Sequence, residues 1–93
     1  MVFVVERRLP NVSAADLAML QEALVFACDR LTSRGEPVRC LGSAFLPGRA
    51  RLLTLFEAED PEAVRSVNVN VHAPFVSLEA AIKIDPAPEA FAV

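Results

Sequence analysis

The run Leu52-Leu53-Thr54-Leu55-Phe56, continuing through Glu57-Ala58-Glu59 into Asp60-Pro61-Glu62-Ala63-Val64-Arg65, constrains this chain more than any other stretch. A strand apolar on both faces needs cover from both sides. The acidic turn that follows ends in Asp60, a good N-cap, and Pro61, whose missing N–H costs nothing at the first helical position. One short window therefore predicts a core strand, a turn and a helix start, and the other elements can be laid beside or across that strand.

Upstream, Val2 to Arg8 reads as a first strand, with Phe3 and Val5 opposite a mixed side of Val2, Val4, Glu6 and Arg8. Pro10 and Asn11 break it. Ser13 and Asp16 have the spacing of a capping box, and Leu17, Leu20, Leu24, Ala27, Cys28 and Leu31 recur at helical steps until Gly35. Met19 and Phe26 broaden that core face. A second strand runs from Pro37 to Leu46, with Val38, Cys40, Gly42 and Ala44 alternating with Arg39, Leu41, Ser43 and Phe45. Pro47-Gly48 turns the chain into the third strand, where Leu53 and Leu55 alternate with Leu52, Thr54 and Phe56. The second helix is predicted to about Asn68. A last strand follows over Phe75 to Ile84, with Val76, Leu78, Ala80, Ile82 and Ile84 as one apolar face.

Strand, helix, strand, strand, helix, strand is the ferredoxin-like split βαβ order: an α+β sandwich with a four-stranded antiparallel sheet and two helices on one face. Residues 1–85 form this single domain, and 86–93 read as a C-terminal extension. The purely apolar class of each strand is expected under the helices. The other class then leaves Val2, Val4, Leu41, Phe45, Leu52, Phe56 and Phe75 on the helix-free face, more than a monomer tolerates. With 54% hydrophobic residues, the expectation is a homodimer that stacks two such faces, a dimeric α/β-barrel.

Composition closes several doors. No apolar run reaches membrane-spanning length, and the start is too short for a signal peptide, so no membrane partner is expected and the cytoplasm is the default. A net charge of −3 with interspersed signs, six Phe and neither Trp nor Tyr argue against nucleic acid. Cys28 and Cys40 have neither CxxC spacing nor a nearby His, and read as small buried hydrophobes. With three glycines and no Gly-x-Ser-x-Gly elbow, nucleotide cradling and serine catalysis have little to build on.

Val5-Glu6-Arg7-Arg8-Leu9-Pro10, Arg39-Cys40-Leu41-Gly42-Ser43, and Leu55-Phe56-Glu57-Ala58 leading into Asp60-Pro61-Glu62-Ala63-Val64-Arg65 resemble a small bacterial family. It is domain of unknown function 4242, described as nickel-binding-protein-like. The resemblance spans Val2 to about Ile84. It implies a ferredoxin-like fold, a dimer, nickel binding and no established enzyme activity. Thr54 stands where members often carry Cys, Phe56 where they carry Tyr, and His72-Ala73-Pro74 replaces a Gly-Leu-Pro-like segment.

Beside that resemblance, the residues nominate their own site. Glu6 and Glu79 share the mixed face if the first and last strands are neighbours, close enough to hold a divalent metal or share a proton. Arg8, Arg39 and Lys83 fall on the same face, so a compensated charge network in a dimer interface accounts for them equally well. His72 is the sole histidine, a candidate metal ligand or base at a cavity mouth. The candidate ligand-binding residues are thus His72, Glu6, Glu79 and Arg39, with Glu6, Glu79 and His72 for a metal. The expectation is a homodimeric metal- or small-ligand-binding protein. The alternative is a cofactor-free monooxygenase or isomerase with His72 as base in a pocket lined by Phe3, Leu53 and Val76. A third is an interaction dimer whose partner uses the tail or the Met19/Phe26 stripe.

Overall fold

A computed structural model describes residues 1–71 and 74–84. The elements are β1 (Val2–Arg8), α1 (Ala14–Ser33), β2 (Val38–Leu46), β3 (Arg51–Ala58), α2 (Pro61–Asn70) and β4 (Ser77–Ala81). The four strands form one antiparallel sheet in the order β2-β3-β1-β4, so the ferredoxin-like α+β arrangement holds. His72 and the extension 86–93 lie outside the described residues.

The helix ends are where local chemistry puts them. Ser13 Oγ accepts from the Asp16 N–H at 3.0 Å while the Ser13 N–H donates to Asp16 Oδ2 at 3.1 Å, closing the capping box. That backbone donor, and secondarily the hydroxyl, holds the Asp16 carboxyl below its usual range. At the other end Gly35, at φ +90°, lets its own N–H reach the Thr32 carbonyl and the Glu36 N–H reach that of Leu31, a Schellman closure. Asp60 Oδ1 accepts from the Glu62 and Ala63 N–H groups at the start of α2. Asp60→Ala is expected to lower stability by about 1 kcal/mol, read from the shift of a urea midpoint.

Both helices pack on one face of the sheet. Phe3 and Val5 of β1, Val38 of β2, and Phe56 and Ala58 of β3 meet Leu24, Ala27, Cys28 and Leu31 of α1 and Val64 and Val67 of α2. The register carries this face across the strands: Phe3 lies opposite Phe56 and Ala80, and Val5 opposite Thr54 and Leu78.

Three of the expected face assignments are corrected. In β3 it is Leu52, Thr54, Phe56 and Ala58 that are buried, while Leu53 and Leu55 share the helix-free side with Arg51 and Glu57. Both classes contain leucine, but only one carries charges at its ends, Arg51 and Glu57, and desolvating those would cost far more than exposing two leucines. In β2 a bulge between Cys40 and Gly42 shifts the register, so Val38 and Cys40 face the helices and then Ser43 and Phe45 do, with Gly42 and Ala44 turned away. Phe75 packs against the core rather than on the open face. The final strand is also shorter than expected. It ends at Ala81, and Ile82 and Ile84 are exposed instead of continuing an apolar face.

The Met19 and Phe26 expectation fails as well. Both are more than 60% exposed, on the side of α1 turned away from the core. The core stripe of α1 is narrow enough that Leu24, Ala27, Cys28 and Leu31 fill it.

Candidate functional site

The helix-free face has an apolar centre and a charged rim. Val2, Val4, Leu53 and Leu55 are half-buried there, in rows where Val4 lies opposite both Leu55 and Glu79, and Glu6 opposite Leu53 and Ser77. Glu6 and Glu79 do share this face. They are diagonal neighbours on adjacent strands, about 8 Å apart at Cα. Glu6 forms an ion pair with Arg51, and Arg51 lies opposite Arg8.

Arg39 does not join them. It sits in the row of Glu57 and Val2, four residues along and two strands over from Glu6, about 16 Å at about 3.3 Å per residue and 4.8 Å per strand. Its Nη2 donates to Glu57 Oε1 at 2.7 Å in an exposed pair. Among the described residues no three of His, Cys, Asp and Glu converge on a point that holds a metal ion. Among the described residues one chain therefore supplies two carboxylates at this face, one of them already engaged by an arginine, and these alone are too small a set for nickel.

The helix side holds the polar groups that the sequence reading missed. Arg7, next in the class of Phe3 and Val5, is fully buried beneath the helices. Its Nη2 donates to Oδ1 of Asn68, which is buried on α2, and Asn68 Nδ2 donates to the Val64 carbonyl at 2.7 Å. Burial lowers the Arg7 pKa from its ordinary value, because the charged form has left water. The signal was in the sequence. Arg7 falls on the buried parity of β1, and Asn68 on the Val64, Val67, Val71 stripe, so each element carries one polar residue at a core position.

Nearer β2, Ser43 Oγ donates to Gln21 Oε1 at 2.6 Å and shares a hydrogen bond with the buried Thr54 hydroxyl at 2.8 Å. Gln21 Nε2 donates to Cys40 Sγ at 3.4 Å. The pocket expected from Phe3, Leu53 and Val76 does not exist as one chamber. Phe3 is in the core, Leu53 is on the opposite face, and Val76 is 57% exposed.

The two cysteines differ. Burial, with smaller contributions from Cys40 and Asp29, pushes the Cys28 thiol up to about 12. A raised folded-state value means this group's share of stability is intact below its ordinary 9.0 and declines as pH rises from there toward 12. Alkylation of the native protein at mildly alkaline pH is expected to stop at the half-buried Cys40, with Cys28 modified only after unfolding. Peptide mapping that finds both labelled equally fast would refute this.

No protein-family model matches the sequence, and no curated protein matches it. Among solved structures, the crystal structure of SCO4226 from Streptomyces coelicolor A3(2) is similar, with a TM-score of 0.71 and 17% identity over 90% of this chain and 100% of that one. At that identity the likeness carries the fold alone. No helix among the described residues is long and apolar enough to cross a membrane.

Proposed function

We propose that this protein acts as a homodimer that binds a metal ion or small ligand, without catalysis, at the helix-free sheet face. One observation carries the reading: Val2, Val4, Leu53 and Leu55 form an apolar centre bounded by Glu6, Arg51, Arg39, Glu57 and Glu79. An apolar centre within a polar rim is the anatomy of a subunit interface. Stacking two sheets face to face hides the centre and gives the dimeric α/β-barrel. The family resemblance supports the same assembly and supplies nickel as the metal. A second copy doubles the carboxylates of Glu6 and Glu79 and the imidazole of His72, and oxygen and nitrogen donors of this kind suit a divalent first-row ion.

Two measurements test this. Light scattering is expected to give twice the single-chain mass for the native protein and the single-chain mass for Leu53→Glu/Leu55→Glu with an unchanged far-UV spectrum. Nickel retained after desalting is expected to fall in Glu6→Gln, Glu79→Gln and His72→Ala. A native single-chain mass sinks the dimer, and no nickel retention sinks the metal.

A further inference from the structure

We propose that the cleft between the first half of α1 and the β2-β3 hairpin is a second binding site, for a small uncharged molecule with an apolar ring and a hydrogen-bonding head. The bulge in β2 shapes this cleft. Strict alternation from Val38 and Cys40 would put Gly42 and Ala44 under α1, and neither has side chain enough to form the wall of a cleft. The bulge between Cys40 and Gly42 resets the alternation, with Gly42 at φ +141°, a backbone conformation that side chains rarely adopt. Bulges re-aim side chains, often beside functional sites. This one brings a hydroxyl and an aromatic ring, Ser43 and Phe45, to the helix side.

The result is a cleft of about 380 Å³ lined by Leu17, Ala18 and Gln21 of α1 and Ser43, Phe45 and Leu52 of the hairpin. Its volume lies at the lower end of the range for ligand sites. Leu17, Phe45 and Leu52 supply apolar walls for a ring. Gln21 and Ser43 form the polar end. The Gln21 amide N–H points at a thiol sulfur, a weak acceptor, at 3.4 Å. An incoming carbonyl or hydroxyl oxygen is a better acceptor, so exchanging partners favours the ligand. Among the described residues no charged side chain lines the cleft, so an ionic head finds no opposite charge there to offset the water it gives up. The cleft is on the helix side, and sheet stacking leaves it open, which makes this site independent of the dimer.

The test is a titration of the full chain with benzamide, followed in ¹H–¹⁵N spectra. The expected result is saturable shifts at the Gln21 side-chain amide and the Ser43 backbone amide in the millimolar range. Benzoate, its anionic counterpart, is expected to bind at least about tenfold more weakly. Ala18→Phe, which fills the cleft from the exposed helix surface, and Gln21→Leu, which removes the amide, should each abolish the response. Shifts that never saturate, that centre on Met19 and Phe26, or that persist in both variants overturn the proposal.

Discussion

Arg7→Ala is expected to destabilise the protein by about 3–5 kcal/mol. Arg7 heads the fully buried side chains by size, and it lies between β1 and α2 with its guanidinium on the Asn68 carbonyl. Alanine deletes the stem that packs there and takes the donor from a buried amide oxygen. These losses add, because the space and the polar group are both sealed from water. The deleted charge also removes a desolvation cost, which is why the figure stops short of the full burial value. Arg7→Met separates the two effects: it keeps most of the stem and should cost about 1–3 kcal/mol, the penalty of the unpaired amide alone. Arg7→Met/Asn68→Leu should then recover much of that loss. Urea unfolding curves decide it, and an Arg7→Ala change below about 1 kcal/mol would mean that Arg7 is not held as the structure places it.

Phe56→Ala is expected to cost about 3–5 kcal/mol, whereas the adjacent Leu55→Ala costs under about 1 kcal/mol in chains kept apart. Phe56 has no exposure and lies opposite Phe3, between the sheet and both helices. Leu55 is half-buried on the other side. The two residues are neighbours of similar hydrophobicity, so only the face separates them. Thermal or urea unfolding of the double variant Leu53→Glu/Leu55→Ala, compared with the same background carrying Phe56→Ala, makes the comparison free of association. If Leu55→Ala in that background proved as damaging as Phe56→Ala, the face assignment of β3 would be reversed.

That pair of residues also shows where reading the chain stopped. Parity in β3 is ambiguous over Leu52 to Phe56, five residues that would all be at home in a core. Extending the count to Arg51 and Glu57 resolves it, because charged ends belong with Leu53 and Leu55. The same count in β1 finds Arg7 on the buried side, although a buried arginine runs against the usual expectation for charge. The bulge in β2 had no such signal. Gly42 permits it, but permission is not a cause, and only pairing with β3 shows that Leu41 is passed over. The candidate site was half legible: Glu6 and Glu79 share a face as their parity and strand adjacency required. Arg39 does not reach them, because alternation says which face a residue occupies and not how far along the sheet it sits.

By itself the chain determined its elements and their order. Capping chemistry at Ser13, Gly35 and Asp60 and hydrophobic period are local, and they act before any distant contact forms. Only the tertiary structure decided which face of β3 is buried, where β2 changes sides, that Arg7 meets Asn68 and that Glu6 is held by Arg51. Each of those depends on register between strands or on helix docking, which bring together distant residues such as Arg7 and Asn68, 61 positions apart, and no local pattern encodes a partner at that separation.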